Sequence, residues 1–247
     1  IQPPVYHPFR LVPQKNHREV VFNPLRELPE GGYEMDFENL EAVCDDKCRI
    51  LILSNPHNPA GIVWPRETLE RLASFCHSRG IIVISDEIHC DMALYGNRHI
   101  PFASVSPEAA ACSITFGAPS KTFNIAGIVS SYSIVPNDEL RRRFHEWMEA
   151  NEMNAAPLFS PIATIAAFRK GEEWRKQMLE YVEGNIDFLT GYCRENMPKI
   201  KPLRPQASFL VWLDCRGLGL DHDQLIDLFI NKAGLALNDG EMFNPGG

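Results

Sequence analysis

ILILSNPHNPAG, residues 50–61, joins a continuous apolar run to a turn cluster that contains two prolines and a glycine. The run at residues 50–53 is typical of a strand buried on both faces, as strands are in parallel sheets. Pro65 follows at a favoured first position of a helix. Apolar residues then recur at helical spacing over residues 66–79, and Gly80 stands where a left-handed cap is needed. The stretch therefore predicts a strand, a turn and a helix.

The same order of elements recurs along the first half of the chain. Residues 81–84 form a second apolar run, which ends in SDE, and residues 113–116 form a third, which continues into GAPSK. Residues 128–135 predict a further strand. Strands that alternate with helical segments are the signature of crossover units, so we expect an α/β fold with a mainly parallel sheet.

Long helical patterns dominate the second half. Residues 137–150 predict one helix, and residues 159–195 predict one or two long helices interrupted near Gly171. This shift in pattern predicts a large domain over residues 1–175 and a smaller α+β domain over residues 176–247.

Two elements are expected in that smaller domain. Residues 207–213 alternate apolar side chains with smaller or polar ones, which predicts a half-buried strand. Residues 221–232 predict a helix that Asp221 caps, that presents an apolar side, and that Gly234 stops.

The composition excludes several classes of protein. A chain of 247 residues, 45% hydrophobic, can form a sizeable core in one or two domains of a soluble protein. A net charge of -8 and a pI near 5.5 give no electrostatic footprint for nucleic acid, and the arginines at residues 141–143 predict a solvated helix face. No apolar stretch approaches the roughly 18 residues that span a bilayer, so no membrane partner is expected. The seven cysteines fit no disulfide framework, which favours reduced thiols and the cytoplasm.

Three polar residues each follow an apolar run: Asn58, Asp86 and Lys121. Taken singly, each has an ordinary explanation, because loop lysines are usually solvated and Asp or Asn after a strand usually forms a turn or a cap. Ligands of open α/β sheets, however, bind beyond the carboxyl ends of the strands, so the three side chains should converge at one edge. Their shared placement predicts a functional site.

These residue types suit an aldehyde cofactor, of which pyridoxal 5'-phosphate is the common one. A desolvated lysine can bond covalently to the aldehyde, which assigns that role to Lys121. A carboxylate beside the pyridine nitrogen, here Asp86, keeps that nitrogen protonated. The amide of Asn58 can donate to the phenolic oxygen, and His89 could be a second donor or only a structural neighbour. Ser120 could anchor the phosphate or simply cap a local turn.

The motifs NPHNPAG, SDEIH and SKTFNIAG, in this order, resemble those of fold-type I pyridoxal phosphate enzymes of the aspartate aminotransferase superfamily (class I/II). More narrowly, they resemble the MalY/PatB group of cystathionine β-lyase-like C-S lyases. The resemblance extends from PVYHPF at residues 4–9 to LNDGEMF at residues 237–243. It implies a three-layer αβα large domain with a smaller C-terminal domain, and a homodimer whose sites lie at the subunit interface.

The resemblance also implies roles for individual residues. Lys121 would be the covalent anchor of the cofactor and the general acid/base, Asp86 would face the pyridine nitrogen, and Asn58 would face the phenolic oxygen. Tyr6 would stack on the ring, and Ser120 would lie near the phosphate.

The chain departs from the superfamily pattern at three positions. His89 stands where many aminotransferases have tyrosine, and histidine there is usual in the C-S lyase group. Ala118 replaces a frequent serine, and Val129 occupies the place of a phosphate-binding arginine. The family's glycine-rich phosphate turn and its substrate-carboxylate arginine lie outside this sequence, so we expect a chain limited to these residues to be a poor catalyst.

Three functions compete. The leading one is a β-lyase acting on cystathionine or a related cysteine S-conjugate to give a thiol, pyruvate and ammonia. The alternative is a class I/II aminotransferase, and the second alternative is an aminotransferase-like domain of a transcription regulator. Dinucleotide and P-loop enzymes are disfavoured, because the chain has neither GxGxxG after a strand nor GxxxxGK[ST].

Overall fold

The structure is a computed structural model that describes residues 1–29 and 31–244. Its α-helices are α1 (Pro8–Lys15), α2 (Phe37–Val43), α3 (Arg66–Ser78), α4 (Pro107–Cys112), α5 (Pro119–Thr122), α6 (Asp138–Ala150), α7 (Ser160–Lys170), α8 (Glu172–Asn196) and α9 (His222–Asp227). Its strands are β1 (Arg26–Glu27), β2 (Tyr33–Glu34), β3 (Ile50–Ser54), β4 (Ile82–Asp86), β5 (Ser113–Gly117), β6 (Tyr132–Ile134), β7 (Lys201–Leu203) and β8 (Trp212–Asp214).

A four-stranded sheet in the order β3-β4-β5-β6 organises the first half. The strands β3, β4 and β5 run parallel, in a register that aligns Ile52, Ile84 and Ile114, and β6 runs antiparallel to β5. The expectation of an α/β fold with a mainly parallel sheet is confirmed. The carboxyl ends of the parallel strands consequently lie at one edge.

Helices pack on both faces of this sheet. On one face, buried residues of α2, α3 and α4 form a single core with Leu51 and Leu53 of β3 and with Val83 of β4. Full burial of a side chain of this size contributes about 1.5–3 kcal/mol. On the other face, the ring of Phe116 in β5 meets that of Phe144 in α6 edge-on, with centroids 5.8 Å apart. The two faces follow from the alternation of side chains along a strand.

Strand β6, at the end of the four-stranded sheet, is shorter than the strand predicted at residues 128–135. Residues 126–128 form a turn of 3-10 helix, and Val129 has a positive φ of 51°, so pairing begins only at Tyr132. The chain must reverse direction before an antiparallel strand can pair with β5, and this turn makes the reversal. Gly117 at the end of β5 accommodates the incoming strand, since a Cβ there would lie 2.5 Å from the ring of Tyr132.

The long helical stretch is broken where the sequence predicts. Gly171 separates α7 from α8, and a Cβ at this position would lie 2.5 Å from the carbonyl oxygen of Ala167. Helix α8 continues through residue 176, so the domain boundary at 175/176 falls inside a helix and stays a prediction.

The strand predicted at residues 207–213 is wrong in extent. Only Trp212–Asp214 pairs with β7, whereas Ala207 forms an isolated bridge with Ala93 and Ser208 has a φ of 75°. The backbone before Phe209 bonds to the first half of the chain, which prevents it from continuing the β7–β8 ladder.

The predicted helix at residues 221–232 changes type along its length. Asp221 caps it in a reciprocal capping box with Gln224, as the sequence indicates for the cap. The α-helical part ends at Asp227, residues 228–232 continue as a π-helix, and Gly234 follows with a φ of 68°.

Candidate active site

Asn58, Asp86 and Lys121 lie past or at the carboxyl ends of three neighbouring strands. Asn58 is in the loop after β3, Asp86 is the last residue of β4, and Lys121 is in the single-turn helix α5 that follows β5. Pro119 begins that turn, which suits proline because the first helical N–H has no partner within a helix. The sheet thus brings the three residues to one edge, as the sequence predicts.

A wide cleft opens at this edge. Its walls include Tyr6, Asn58, His89 and Lys121, together with Phe209 from the second half of the chain. Asp86 is not part of this wall; it is half-buried at the end of β4 and close enough for the charge of Lys121 to act on it. Four of the six residues that the sequence singled out therefore line the cleft, and Asp86 is close to one of them.

Ser120 is the remaining residue of the six. It lies half-buried in α5, and its carbonyl oxygen accepts a hydrogen bond from the amide of Ile125 at 3.0 Å. Among the described residues it is not part of the cleft wall. Its proposed contact with a phosphate stays a prediction.

Burial controls the ionisation of Asp86. Loss of solvent raises the pKa of its carboxyl, while the amide of Ile88, 3.1 Å from Oδ1, and the positive charge of Lys121 act in the opposite direction. A cationic partner placed against this carboxylate would favour its ionised form. The environment thus suits a protonated ring nitrogen.

His89 is a neutral imidazole at pH 7. Burial first, and then the charge of Lys121, lower its pKa to about 4. Its ring meets that of Phe209 edge-on at 5.9 Å, and its buried Nδ1 has no hydrogen-bond partner among the described residues. A buried nitrogen of this kind is available to a ligand in the cleft.

The backbone fixes Asn58 and leaves its side chain available. The amide N–H of Asn58 donates to the Ser54 hydroxyl at 2.9 Å, and its carbonyl oxygen accepts from the Tyr6 amide at 3.1 Å. The second bond also fixes Tyr6, whose ring meets Phe9 edge-on at 5.9 Å. Within the described residues, the buried Oδ1 of Asn58 has no partner.

The second half of the chain reaches the site through a short tethered segment. The amides of Gln206 and Ala207 both donate to the carbonyl oxygen of Gly61, at 2.8 and 3.0 Å, and the amide of Ser208 donates to that of Met92 at 2.9 Å. Phe209 follows directly. Sequence reasoning missed this residue because these contacts join segments far apart in the chain.

A buried carboxylate beneath the site was also missed. Glu87 is 4% exposed and accepts hydrogen bonds from Ser85, His99 and the amide of Phe102. Its signal in the sequence is an acidic residue directly after an apolar strand, between Asp86 and His89 in SDEIH.

The cleft fits an aldehyde cofactor with a protonated ring. It combines a lysine amine, an amide and an imidazole with buried unpartnered atoms, and a carboxylate whose pKa is raised by burial. The described residues contain no group of side chains arranged to hold a metal ion. They also provide no helix with the length and apolar character required to cross a bilayer.

The fold is that of the fold-type I pyridoxal phosphate enzymes. A pyridoxal phosphate-bound putative aminotransferase from Clostridium difficile 630 superposes on the whole chain with a TM-score of 0.96 at 41% identity. Residues 1–245 match the family described as aminotransferase class I and II, and the chain belongs to that family.

Two further proteins show which members of the family the chain is similar to. The cystathionine beta-lyase PatB of Bacillus subtilis (strain 168) is 41% identical over 248 residues, covering 100% of this chain and 64% of the relative. Cystalysin from Treponema denticola, which contains pyridoxal 5'-phosphate, superposes with a TM-score of 0.95 at 30% identity, covering 100% of this chain and 62% of that structure. The chain thus spans slightly less than two thirds of the length of these relatives.

Proposed function

We propose that the protein is a pyridoxal 5'-phosphate-dependent β-lyase that cleaves the C–S bond of cystathionine or a related cysteine S-conjugate. The observation that carries this proposal is the cleft in which Lys121, Asn58 and His89 meet, with Asp86 close to Lys121. The identity of 41% with a cystathionine beta-lyase supports the choice of reaction. The products are a thiol, pyruvate and ammonia.

When bound, the cofactor supplies an aldehyde for the amine and a protonated ring that withdraws electrons from the α-carbon. Lys121 would hold the cofactor covalently, and Asp86 would hold the proton of its ring nitrogen. Asn58 would donate to the phenolic oxygen, and Tyr6 would contact the ring. Ser120 is assigned to the phosphate, by resemblance alone.

Lys121 has a second role as the proton carrier. The free amine of Lys121 would remove the α-proton of the substrate, and the thiolate would then leave from the β-carbon. Positioned proton transfer contributes about 10²- to 10⁴-fold to a rate. His89, neutral at pH 7 because its pKa is about 4, can accept or share a hydrogen bond beside this amine without adding a positive charge.

The competing function is a class I/II aminotransferase, which the family itself favours. The two differ in the fate of the proton: a transaminase returns it to the cofactor, whereas a lyase expels the thiolate. Purified protein incubated with cystathionine should release pyruvate and a thiol in equal amounts without an added oxo acid. Strict dependence on a 2-oxo acid would reject the lyase.

The role of Lys121 is tested with a matched lysine. Lys121→Ala should lose the visible absorption band of the bound cofactor and at least about 10³-fold in rate. Lys170→Ala, at the exposed end of α7, should keep both. A wild-type protein without a visible band at saturating cofactor would argue against the cofactor assignment.

The assembly and location belong to the same proposal. We infer a cytoplasmic homodimer with an amino-acid substrate and without nucleic-acid or membrane partners. Light scattering of the purified protein tests the dimer, since a monomeric mass at micromolar concentration would contradict it.

A further inference from the structure

We propose that Glu87 is a positioning residue: its buried carboxylate ties the loop that carries Asn58 to the strand end that carries Asp86. The inference rests on the proposed function, because it concerns the placement of two residues assigned to the cofactor. Glu87 is not among the described residues that line the cleft.

The carboxylate of Glu87 is saturated with donors. Its Oε1 accepts from the Ser85 hydroxyl at 2.9 Å, from the Phe102 amide at 2.8 Å, and from the Asn55 amide group at 3.4 Å. Its Oε2 lies 2.9 Å from Nε2 of His99. The side chains of Glu87 and His99 are 5% and 8% exposed, so water does not compete for these bonds.

These donors come from separate parts of the site. Asn55 is the first residue of NPHNPAG, three positions before Asn58, and its side chain also donates to the carbonyl oxygen of Ile100 at 3.0 Å. The backbone repeats the connection, because the Asn55 amide donates to the Asp86 carbonyl oxygen at 2.9 Å. The loop before Asn58 is therefore bonded both to Asp86 and to Glu87.

The main chain of Glu87 completes the link to the third strand. Its amide donates to the carbonyl oxygen of Phe116 at 2.8 Å, on the strand that leads into Lys121. One residue thus bonds to all three segments that deliver Asn58, Asp86 and Lys121. Preorganised sites need such support, because a small misplacement of a catalytic group is costly.

Stability alone is a poor reason for this carboxylate. A buried charge loses its solvation, and apolar residues of similar volume often stabilise a core equally well or better. Glu87 also adds to the rise in the pKa of Asp86, although burial is the larger cause. The arrangement is therefore better explained by the geometry that it imposes than by a gain in folding free energy.

Three variants separate positioning from stability. Glu87→Ala removes every side-chain bond, whereas Glu87→Gln keeps an oxygen for Ser85 and Phe102 and an amide that can donate to Nε2 of His99. Leu72→Ala is the control, because Leu72 is fully buried in α3 and lies in the core on one face of the sheet. Cofactor dissociation constants from absorption titration, kcat and KM are measured at a temperature where all variants are folded.

Glu87→Ala should raise the cofactor dissociation constant about 10-fold and lower kcat by about 10- to 100-fold, by analogy with the loss measured when the hydrogen-bond partners of metal ligands are removed. Glu87→Gln should stay within about 3-fold of wild type in both. Leu72→Ala should lower the melting temperature and leave the dissociation constant within about 2-fold. Hydrogen exchange at the Phe102 amide, measured without cofactor, should accelerate in Glu87→Ala only.

Two results would overturn the proposal: Glu87→Ala that binds cofactor as well as Leu72→Ala does, or Glu87→Gln as defective as Glu87→Ala. If Glu87→Ala does not fold, Ser85→Ala decides, since it removes one bond and should raise the dissociation constant about 3-fold; an unchanged value rejects the proposal. A wild-type protein that takes up no cofactor would instead be a failure of the proposed function.

Discussion

Helices α3 and α8 follow equally clear helical patterns but differ in what covers them. Helix α3 buries Leu69, Leu72, Ala73 and Cys76 completely. Helix α8 is 25 residues long and buries Ile186 and Cys193, while Tyr181 and Phe188 are 73% and 71% exposed. Periodicity therefore predicts that a segment is helical without predicting how much of its apolar surface is packed.

The same difference separates the two halves of the chain. The core on one face of the sheet is a single cluster, whose buried residues lie between Leu25 and Cys112 in the sequence. Along residues 158–168, by contrast, large apolar side chains remain exposed: Leu158, Phe159, Ile162, Ile165 and Phe168. The site lies at the edge of the well-packed half and receives Phe209 from the other half.

The largest expected effect is on the core itself. Leu72→Ala should lower the free energy of unfolding by about 2–5 kcal/mol, because it leaves a cavity among fully buried neighbours. Phe188→Ala, on the exposed side of α8, should change it by less than about 0.5 kcal/mol. Urea titrations of both variants test the contrast, and a large effect of Phe188→Ala would show that α8 is covered in solution.

Acid should destabilise the first half through two buried histidines. Burial lowers the pKa of His57 to about 3, and burial with the charge of Lys121 lowers that of His89 to about 4. Histidine in the unfolded chain titrates near pH 6.5. Between pH 6.5 and about 4 the unfolded chain therefore binds more protons than the folded protein, and the free energy of unfolding decreases as the pH falls. Asp86, whose pKa is raised, partly offsets this loss.

A matched pair of histidine variants measures the effect. Between pH 7 and pH 4, the free energy of unfolding should fall in both proteins, but by about 3 kcal/mol less in His57→Gln than in wild type. His145→Gln, on the exposed surface of α6, should follow the wild-type curve. Parallel curves for wild type and His57→Gln would show that His57 does not drive the acid response.

An aspartate from each half tests where catalysis resides. Asp86→Asn should lower kcat about 100-fold, because an amide holds the proton of a ring nitrogen less well than a carboxylate does. Asp187→Asn, on α8, loses an exposed ion pair with Arg204 and should stay within about 2-fold. Equal rates for the two variants would contradict the role proposed for Asp86.

The smallest expected effect concerns the contact between the halves. Gly61 and Gly80 both have positive φ, 65° and 66°, but a Cβ on Gly61 would lie 2.4 Å from Cβ of Pro205, whereas Gly80 faces open space. Both Gly→Ala variants carry the cost of placing a Cβ in the left-handed region, roughly 1–2 kcal/mol. In Gly61→Ala the clash with Pro205 should lower the free energy of unfolding by about a further 1–2 kcal/mol. The melting temperatures of the two variants test this difference. Equal losses of stability in the two variants would show that Pro205 moves away from residue 61 without a cost in free energy.

The sequence predicted best where one signal dominated. The continuous apolar runs located β3, β4 and β5 to within two residues, and a single glycine located the break between α7 and α8. Parallel strands then required Asn58, Asp86 and Lys121 to share an edge. The cofactor roles of these residues remain predictions that the variants above test.

The failures have a common cause in distant contacts. The pattern at residues 207–213 is that of a strand, but Gly61 and Met92, more than a hundred residues earlier, take the hydrogen bonds of its first residues. The importance of Glu87 likewise depends on donors from other segments, Asn55 and His99. Local patterns carry no information about such partners.

The bonds from Gly61 and Met92 to residues 206–208 have a mechanical consequence. They fasten the segment between β7 and β8 to the loop after β3 and to the segment after β4. Phe209 follows these bonds directly, and its ring meets that of His89 at 5.9 Å. One aromatic wall of the cleft is therefore held in place by backbone hydrogen bonds, independently of the side chain that forms it.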